Sequence, residues 1–185
     1  MKYVAFLRAI NVGGHAVIKM SEIRKIFQSI GFGNVQTFIA SGNVIFESKS
    51  TPTSTLEKRI ESAFKKELGY EVGTLVRTEK EVREIATFMP FRAKDVQSAL
   101  ILSITFLREP LSKEAQEKLM SLKSDLDHFH LQNRELYWLS KTKFSDSKVA
   151  AKVSRILGDH ATARGVKTVK QIAEKYCLLL DSDDL

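Results

Sequence analysis

Apolar and polar positions alternate between two periods along the chain, and the period marks the elements. Lys2–Arg8 reads as a strand. After a loop around Gly13-Gly14, Ser21 is placed to cap a helix with apolar residues at Ile23, Ile26, Phe27 and Ile30. That spacing is the stripe of a half-buried helix. Gly31 follows as a residue able to take positive φ, with Phe32 set to fold back on the last turn. Val35–Ile39 and Val44–Glu47 read as two short strands around the turn Ala40-Ser-Gly-Asn43. Pro52 suits the start of a second helix, where its missing N–H costs nothing. That helix carries Leu56, Ile60, Ala63, Phe64 and Leu68 inward and stops at Gly69. Glu71–Arg77 is a fourth strand.

Strand, helix, strand, strand, helix, strand is the split βαβ, or ferredoxin-like, plan. Thr78-Glu-Lys-Glu81 is a capping box that opens a connecting helix with Val82, Ile85 and Ala86 inward. Met89-Pro90 ends it, because the residue before a proline disfavours the helical region. The second half echoes the first. Ala99–Leu107 is a strand, and Pro110-Leu-Ser112 opens a helix with Ala115, Leu119 and Leu122. His128–Gln132 and Glu135–Leu139 form a hairpin around Asn133-Arg134. Ser145 or Ser147 caps a helix with Val149, Val153, Ile156 and Leu157, stopped by Gly158. Thr168-Val-Lys-Gln171 is a second capping box for a final helix, which stands where a fourth strand is due. The expected fold is α+β, two ferredoxin-like halves packed together, spanning residues 1–92 and 93–185. No residue-level repeat is visible, so the duplication rests on element order.

Composition narrows the class. The 185 residues are 43% hydrophobic and 28% charged, as in a globular chain. Met1-Lys2 runs straight into strand-like sequence, so no signal peptide is expected. The longest near-apolar run, Ala99–Leu107, is far short of the ~20 residues that span a bilayer. The single cysteine, Cys177, excludes an intrachain disulfide and points to a reducing cytoplasm. The net charge is +7, and residues 141–180 hold nine Lys or Arg against three acids. The tail Asp181-Ser-Asp-Asp184 then takes three charges back. Such an excess either attracts an anionic partner or simply keeps a solvated face soluble.

Identity concentrates before Ser48. Tyr3-Val-Ala-Phe-Leu-Arg-Ala-Ile-Asn-Val-Gly-Gly14, then Lys19-Met20, then Thr37-Phe-Ile-Ala-Ser-Gly-Asn-Val-Ile-Phe46 together resemble the bacterial family called domain of unknown function 1697. Thr162-Ala-Arg164 and Thr168-Val169 look like that family's closing signature, Thr-(any)-Arg-Asn-Trp-Asn-Thr-Val. Here Gly165, Val166 and Lys167 stand in place of Asn-Trp-Asn. The resemblance implies two ferredoxin-like subdomains and brings no activity or cofactor with it.

Topology then suggests a site. In a ferredoxin-like sheet of order four, one, three, two, the loop after the first strand shares an end with the turn between strands two and three. Arg8, Asn11, Gly13, Gly14 and His15 are thereby brought to Ser41, Gly42 and Asn43. Glycine exposes backbone N–H groups, Arg8 offers a planar fork of donors, and Asn and Ser add adaptable ones. The set suits a carboxylate or phosphate oxygen on an anionic small molecule. Each piece also has a structural reading: glycines for a tight turn, Asn11 capping its own loop, Arg8 pairing with an acid such as Glu47.

Other chemistry finds little support. No phosphate-binding P-loop or dinucleotide fingerprint is present, and Gly31-Phe-Gly33 follows a helix. His128 and His130 share a strand face, but no carboxylate or cysteine motif accompanies them, so no metal site is expected. The other two histidines are His15 and His160. Ser41 has no neighbouring base, and Cys177 reads as a buried, inert thiol. A second reading is a non-enzymatic nucleic-acid module. RNA-recognition sheets stack bases on aromatics of their central strands. Here Tyr3 and Phe6 have opposite parity, so they face opposite sides. Lys148, Lys152 and Arg155, at i, i+4 and i+7, instead form a stripe that could track phosphates.

Overall fold

The computed structural model describes residues 1–8, 10 and 18–177. The chain opens with β1 (Lys2–Leu7), α1 (Met20–Ser29), β2 (Gly33–Phe38), β3 (Asn43–Glu47), α2 (Thr53–Leu68) and β4 (Thr74–Thr78). These strands form one antiparallel sheet in the order β2-β3-β1-β4. It is the ferredoxin-like arrangement, with the first strand between the third and fourth. One sheet face carries Tyr3, Ala5, Leu7, Val44, Phe46 and Val76 against Ile23, Phe27, Leu56, Ile60 and Phe64 of α1 and α2. Phe27 meets Phe46 and Phe64 edge-on, with centroids 5.3 and 6.1 Å apart. The Tyr3 hydroxyl donates to Thr51 O and accepts from Thr51 N, both at 3.1 Å, which ties β1 to the entry of α2.

β4 is an edge strand, and α2 covers its outward donors. Val76 N donates to Glu57 Oε1 at 2.8 Å and Thr74 N to Glu61 Oε1 at 3.0 Å. Glu57 and Glu61 are four residues apart, on one helix face, while Thr74 and Val76 are two apart, on one strand edge. The helix thus closes an edge that would otherwise be open to pairing with another chain.

Caps follow the expected logic with shifts of one or two residues. The Lys19 N–H donates to Glu22 Oε2 at 3.0 Å, so α1 begins at Met20, and Ser21 lies inside the helix rather than capping it. Gly31 takes φ 83°, and Phe32 N donates to Phe27 O at 3.3 Å, closing the helix as expected. The box at Thr78 forms: Thr78 N donates to Glu81 Oε2 and Glu81 N to Thr78 Oγ1. It starts α3 (Glu79–Thr87) directly from β4.

The rest of the chain comprises α4 (Ala93–Gln97), β5 (Ile101–Leu107), α5 (Lys113–Met120), β6 (Asp127–Gln132), β7 (Glu135–Ser140), a 3-10 turn at Phe144–Asp146, α6 (Ala150–Leu157), β8 (Ala161–Gly165) and α7 (Val166–Tyr176). The second sheet has the order β6-β7-β5-β8, the same topology as the first. Its helix-facing core contains Leu119, Phe129, Leu136, Trp138, Ala150 and Val153. The sequence pattern leaves out β8. Ala161-Thr-Ala-Arg-Gly165 has no large apolar side chain to mark it, yet all five residues pair with β5. α7 then starts at Val166 without a loop, and Thr168 sits in its first turn rather than at its cap.

The chain divides into two units, Met1–Thr87 together with the segment from Lys167 onward, and Phe88–Val166. A single cut at residue 92 does not describe it. The final helix belongs with the first unit, where Lys2 Nζ donates to Tyr176 O at 2.7 Å, Arg83 Nη1 to Cys177 O at 3.3 Å, and the Phe38 and Tyr176 rings lie 6.0 Å apart.

Superposing the two topologies brings out a repeat. Phe6-Leu7 ends β1 with Arg8 just after it, and Phe106-Leu107 ends β5 with Arg108 just after it. Leu7 N donates to Gly42 O at 2.8 Å, and Leu107 N to Arg134 O at 2.9 Å, each reaching the hairpin turn between the second and third strands of its own sheet. Three identical residues are too few to stand out in the sequence, but their register makes the correspondence definite.

Candidate functional site

The first sheet brings together the two segments that the topology pairs. The bond from Leu7 N to Gly42 O sets the end of β1 against the β2–β3 turn, and the Arg8 N–H donates to Gly73 O at 2.7 Å on the other side. Arg8 therefore leaves the sheet between two glycines, half-buried. A Cβ on Gly73 would lie 3.4 Å from Arg8 Cβ and 3.6 Å from its Cδ, in ordinary contact, so the arginine stem runs alongside this residue. Gly42 has the stricter requirement. Its φ is +71°, and a Cβ there would meet Leu7 Cβ at 2.9 Å and Ile10 Cβ at 3.3 Å.

The expected pairing of Arg8 with Glu47 is ruled out by register. Glu47 lies opposite Lys2, at the other end of β1, about six residues or ~20 Å from Arg8 at ~3.3 Å per residue. The Glu47 carboxylate instead accepts from Asn34 Nδ2 at 2.8 Å.

Within the turn, Asn43 is fully buried, and its amide donates to Phe38 O at 3.0 Å and Ser41 Oγ at 2.9 Å. Asn43 holds the hairpin closed and orients the partly exposed Ser41 hydroxyl. Ile39, which no sequence pattern marks, has φ 50° and is 52% exposed. A β-branched residue in the left-handed region is an outlier costing on the order of 1–3 kcal/mol. No local signal announces it, since Gly42 and Asn43 are the residues that ordinarily take such turns. Gly73 is likewise unmarked, because nothing in the sequence links it to Arg8. Asn11, Gly13, Gly14 and His15 lie outside the described residues.

Of the residues expected to form a basic stripe on the second unit, Lys152 and Arg155 lie on α6 and Lys148 precedes it. Lys148, Lys152 and Arg155 are all exposed, while Ala150 and Val153 are buried beneath them. Ser147 Oγ accepts from Ala150 N at 3.1 Å, so Lys148 stands in the capped turn just ahead of α6. His128 and His130 both lie on β6, and the Nε2 of each is enclosed without a hydrogen-bond partner. His130 sits beside Phe88 and Tyr137, at 5.4 and 6.4 Å between centroids. Among the described residues no three His, Cys, Asp or Glu side chains gather as a metal cluster. No described helix is long and apolar enough to cross a membrane.

The family model described as "Protein of unknown function (DUF1697)" matches residues 1–137. The chain belongs to this family. The match includes β1, the β2–β3 turn and Gly73, and stops short of the Thr162–Val169 segment. The chain is also similar in structure to the conserved bacterial protein SP0830 from Streptococcus pneumoniae, with a TM-score of 0.74 and 22% identity, covering 94% of this chain and 97% of that one. At that identity the likeness concerns the fold. No curated protein matches the chain.

Proposed function

We propose that this DUF1697 protein binds an anionic small molecule at the Arg8 end of its first sheet. The residues are Arg8, Asn11, Gly13, Gly14, Ser41, Gly42 and Asn43, with Gly73 added by the geometry. The observation that carries the reading is the convergence at the end of β1 of the half-buried Arg8, whose N–H bonds Gly73 O and whose stem runs beside Gly73, with the β2–β3 turn that Leu7 N reaches at Gly42 O. A planar fork of donors at a strand end, beside the turn that carries the partly exposed Ser41 hydroxyl, matches a carboxylate or phosphate. The strained Ile39 turn beside it fits a site where backbone is held for a purpose other than folding. The reading is one of binding and names no reaction and no cofactor. The expected setting is the cytoplasm, supported by a lone, buried thiol. Thermal melts against a panel of phosphorylated and carboxylated metabolites test it. A ligand that raises the wild-type midpoint and leaves Arg8→Ala unmoved supports the site. No shift by any ligand, with Arg8→Ala several kcal/mol less stable, makes Arg8 structural.

A second reading, nucleic-acid binding through Lys148, Lys152 and Arg155, is favoured by one observation: all three are exposed, and none takes part in an ion pair among the described residues. Replacing them together by Gln should flatten the salt dependence of binding, by at most ~0.9 for each duplex phosphate no longer neutralised. A salt dependence unchanged by the triple substitution counts against it.

A further inference from the structure

Phe144 is 66% exposed, more than any other large apolar side chain described. A single exposed aromatic is ordinary on a protein surface. This one has a built support. Its ring centroid lies 6.2 Å from that of Trp138, inclined at 57°. Trp138 is 6% exposed, donates from Nε1 to Asp127 Oδ1 at 3.0 Å, and leans on Phe129 at 5.7 Å. Phe144 is thus the outer member of an aromatic series whose inner members are locked in the core, with much of its surface left to solvent.

The charges around it have one sign in excess. Lys143 precedes Phe144 in the chain, and Lys148, Lys152 and Arg155 follow, all exposed and none in an ion pair among the described residues. The acid inside the turn, Asp146, accepts the Ser145 hydroxyl at 2.9 Å. Trp138 links the two features. Ala150 and Val153, on the inner side of α6, pack in the same core cluster as Trp138, and Phe144 rests on that same side chain. A ring with a free surface, beside a row of cations, is what single-strand binders use: stacking that tolerates any base, and a basic track for the backbone.

We propose that Phe144 with Lys143, Lys148, Lys152 and Arg155 forms a binding surface for single-stranded nucleic acid, one base stacking on Phe144 while the cations follow the phosphates. This rests on the nucleic-acid reading above and makes it more specific. The aromatic contact missing from the central strands is supplied by the 3-10 turn before α6. Duplex is disfavoured, because its bases are already stacked and offer no free face to the ring.

The protein supplies its own reporter, since Trp138 is its one tryptophan. The full chain is titrated with fluorescein-labelled oligouridylate and oligodeoxythymidylate of roughly 12 nucleotides, inside the 4–16 range of single-strand sites. A duplex of equal length is run beside them. Anisotropy is read at two salt concentrations, and Trp138 emission with unlabelled strands. Expected are binding to one or both single strands, weaker binding to the duplex, and a change in Trp138 emission. Phe144→Leu should weaken binding roughly 5-fold or more with the salt slope unchanged, as loss of one stacked base implies. The Lys148/Lys152/Arg155→Gln variant should lower the slope by about 0.7 for each single-strand phosphate no longer neutralised. Salt-dependent binding that is equal for duplex and single strand, and indifferent to Phe144→Leu, overturns the stacking surface and leaves the phosphate stripe standing. No binding of any probe at ~100 μM near physiological salt removes both.

Discussion

Arg77 on β4 and Arg164 on β8 occupy the same position in the two sheets. Arg77 lies opposite Val4 of the central strand β1, and Arg164 opposite Ile104 of β5. Each turns its Nη1 back to the carbonyl of the residue before it, Val76 O at 3.0 Å and Ala163 O at 2.8 Å. Each is buried, Arg77 fully and Arg164 to 8% exposure, and each sits just before a helix that starts without a loop. Burial pulls the Arg164 guanidinium down to about 10, which leaves it charged at neutral pH. Arg77→Ala should lower stability by on the order of 3 kcal/mol, because it removes a buried cation and strands its acceptors. Arg164→Ala should act in the same direction and more weakly. Urea unfolding checks both, as a lower midpoint at unchanged slope. A change below ~0.5 kcal/mol at Arg77 would mean that its guanidinium contributes nothing net.

Gly42→Ala should destabilise the first unit by about 1–3 kcal/mol. The left-handed φ alone costs a non-glycine residue roughly 1–2 kcal/mol. The new methyl would also press on Leu7 Cβ, part of the buried core. Gly69→Ala is the comparison, with a similar φ of +79° and nothing within 4 Å of a new Cβ. The two substitutions share the backbone cost, so the difference between them in a thermal melt isolates the clash.

Cys177 should resist alkylation in the folded protein. Burial, with a smaller contribution from the Glu79 carboxylate, pushes its thiol up to about 11, against the opposing effect of Lys2 and Arg83. The thiolate is the reactive form, and it is scarce at pH 7.5. Ellman's reagent should register no thiol within minutes in buffer and one thiol per chain in urea. Rapid native labelling would show that the segment around Tyr176 opens readily.

Asp95 ties stability to acid pH. Lys141 Nζ donates to its Oδ1 at 3.0 Å, and that bond, first among the causes, holds the carboxyl below the usual aspartate range. A pKa depressed in the folded state stabilises at pH values above the unfolded pKa, near ~3.9, and the gain is lost as pH falls through the folded value. The pair is solvent-accessible, so the effect is small. The difference in urea midpoint between wild type and Asp95→Asn should therefore be present at neutral pH and vanish in acid. A difference that persists below about pH 2.5 would place the effect elsewhere than in the carboxylate charge.

Periodicity alone locates most elements, because burying one face of a helix or strand forces 3.6- or 2-residue spacing on apolar side chains. Ile23, Ile26 and Phe27, or Leu56, Ile60 and Phe64, need no partner sequence to be read as an inward stripe. Element order then implies strand order, and strand order implies that Arg8 meets the Ser41–Asn43 turn, since only a few topologies join such elements without crossing. What the chain could not announce depends on groups distant in sequence. β8 is a strand because β5 offers it an edge, not because Ala161-Thr-Ala-Arg-Gly165 has a pattern. Gly73 lies beside Arg8, 65 residues away in the chain, because β4 pairs with β1. α7 joins the first unit through bonds to Lys2 and Arg83, which local propensity does not encode. Ile39 adopts a backbone angle that its own side chain opposes, within a hairpin that Asn43 closes by its bond to Phe38 O. Local physics fixes which segments are helix or strand, and the long-range fit of those segments decides which side chains meet.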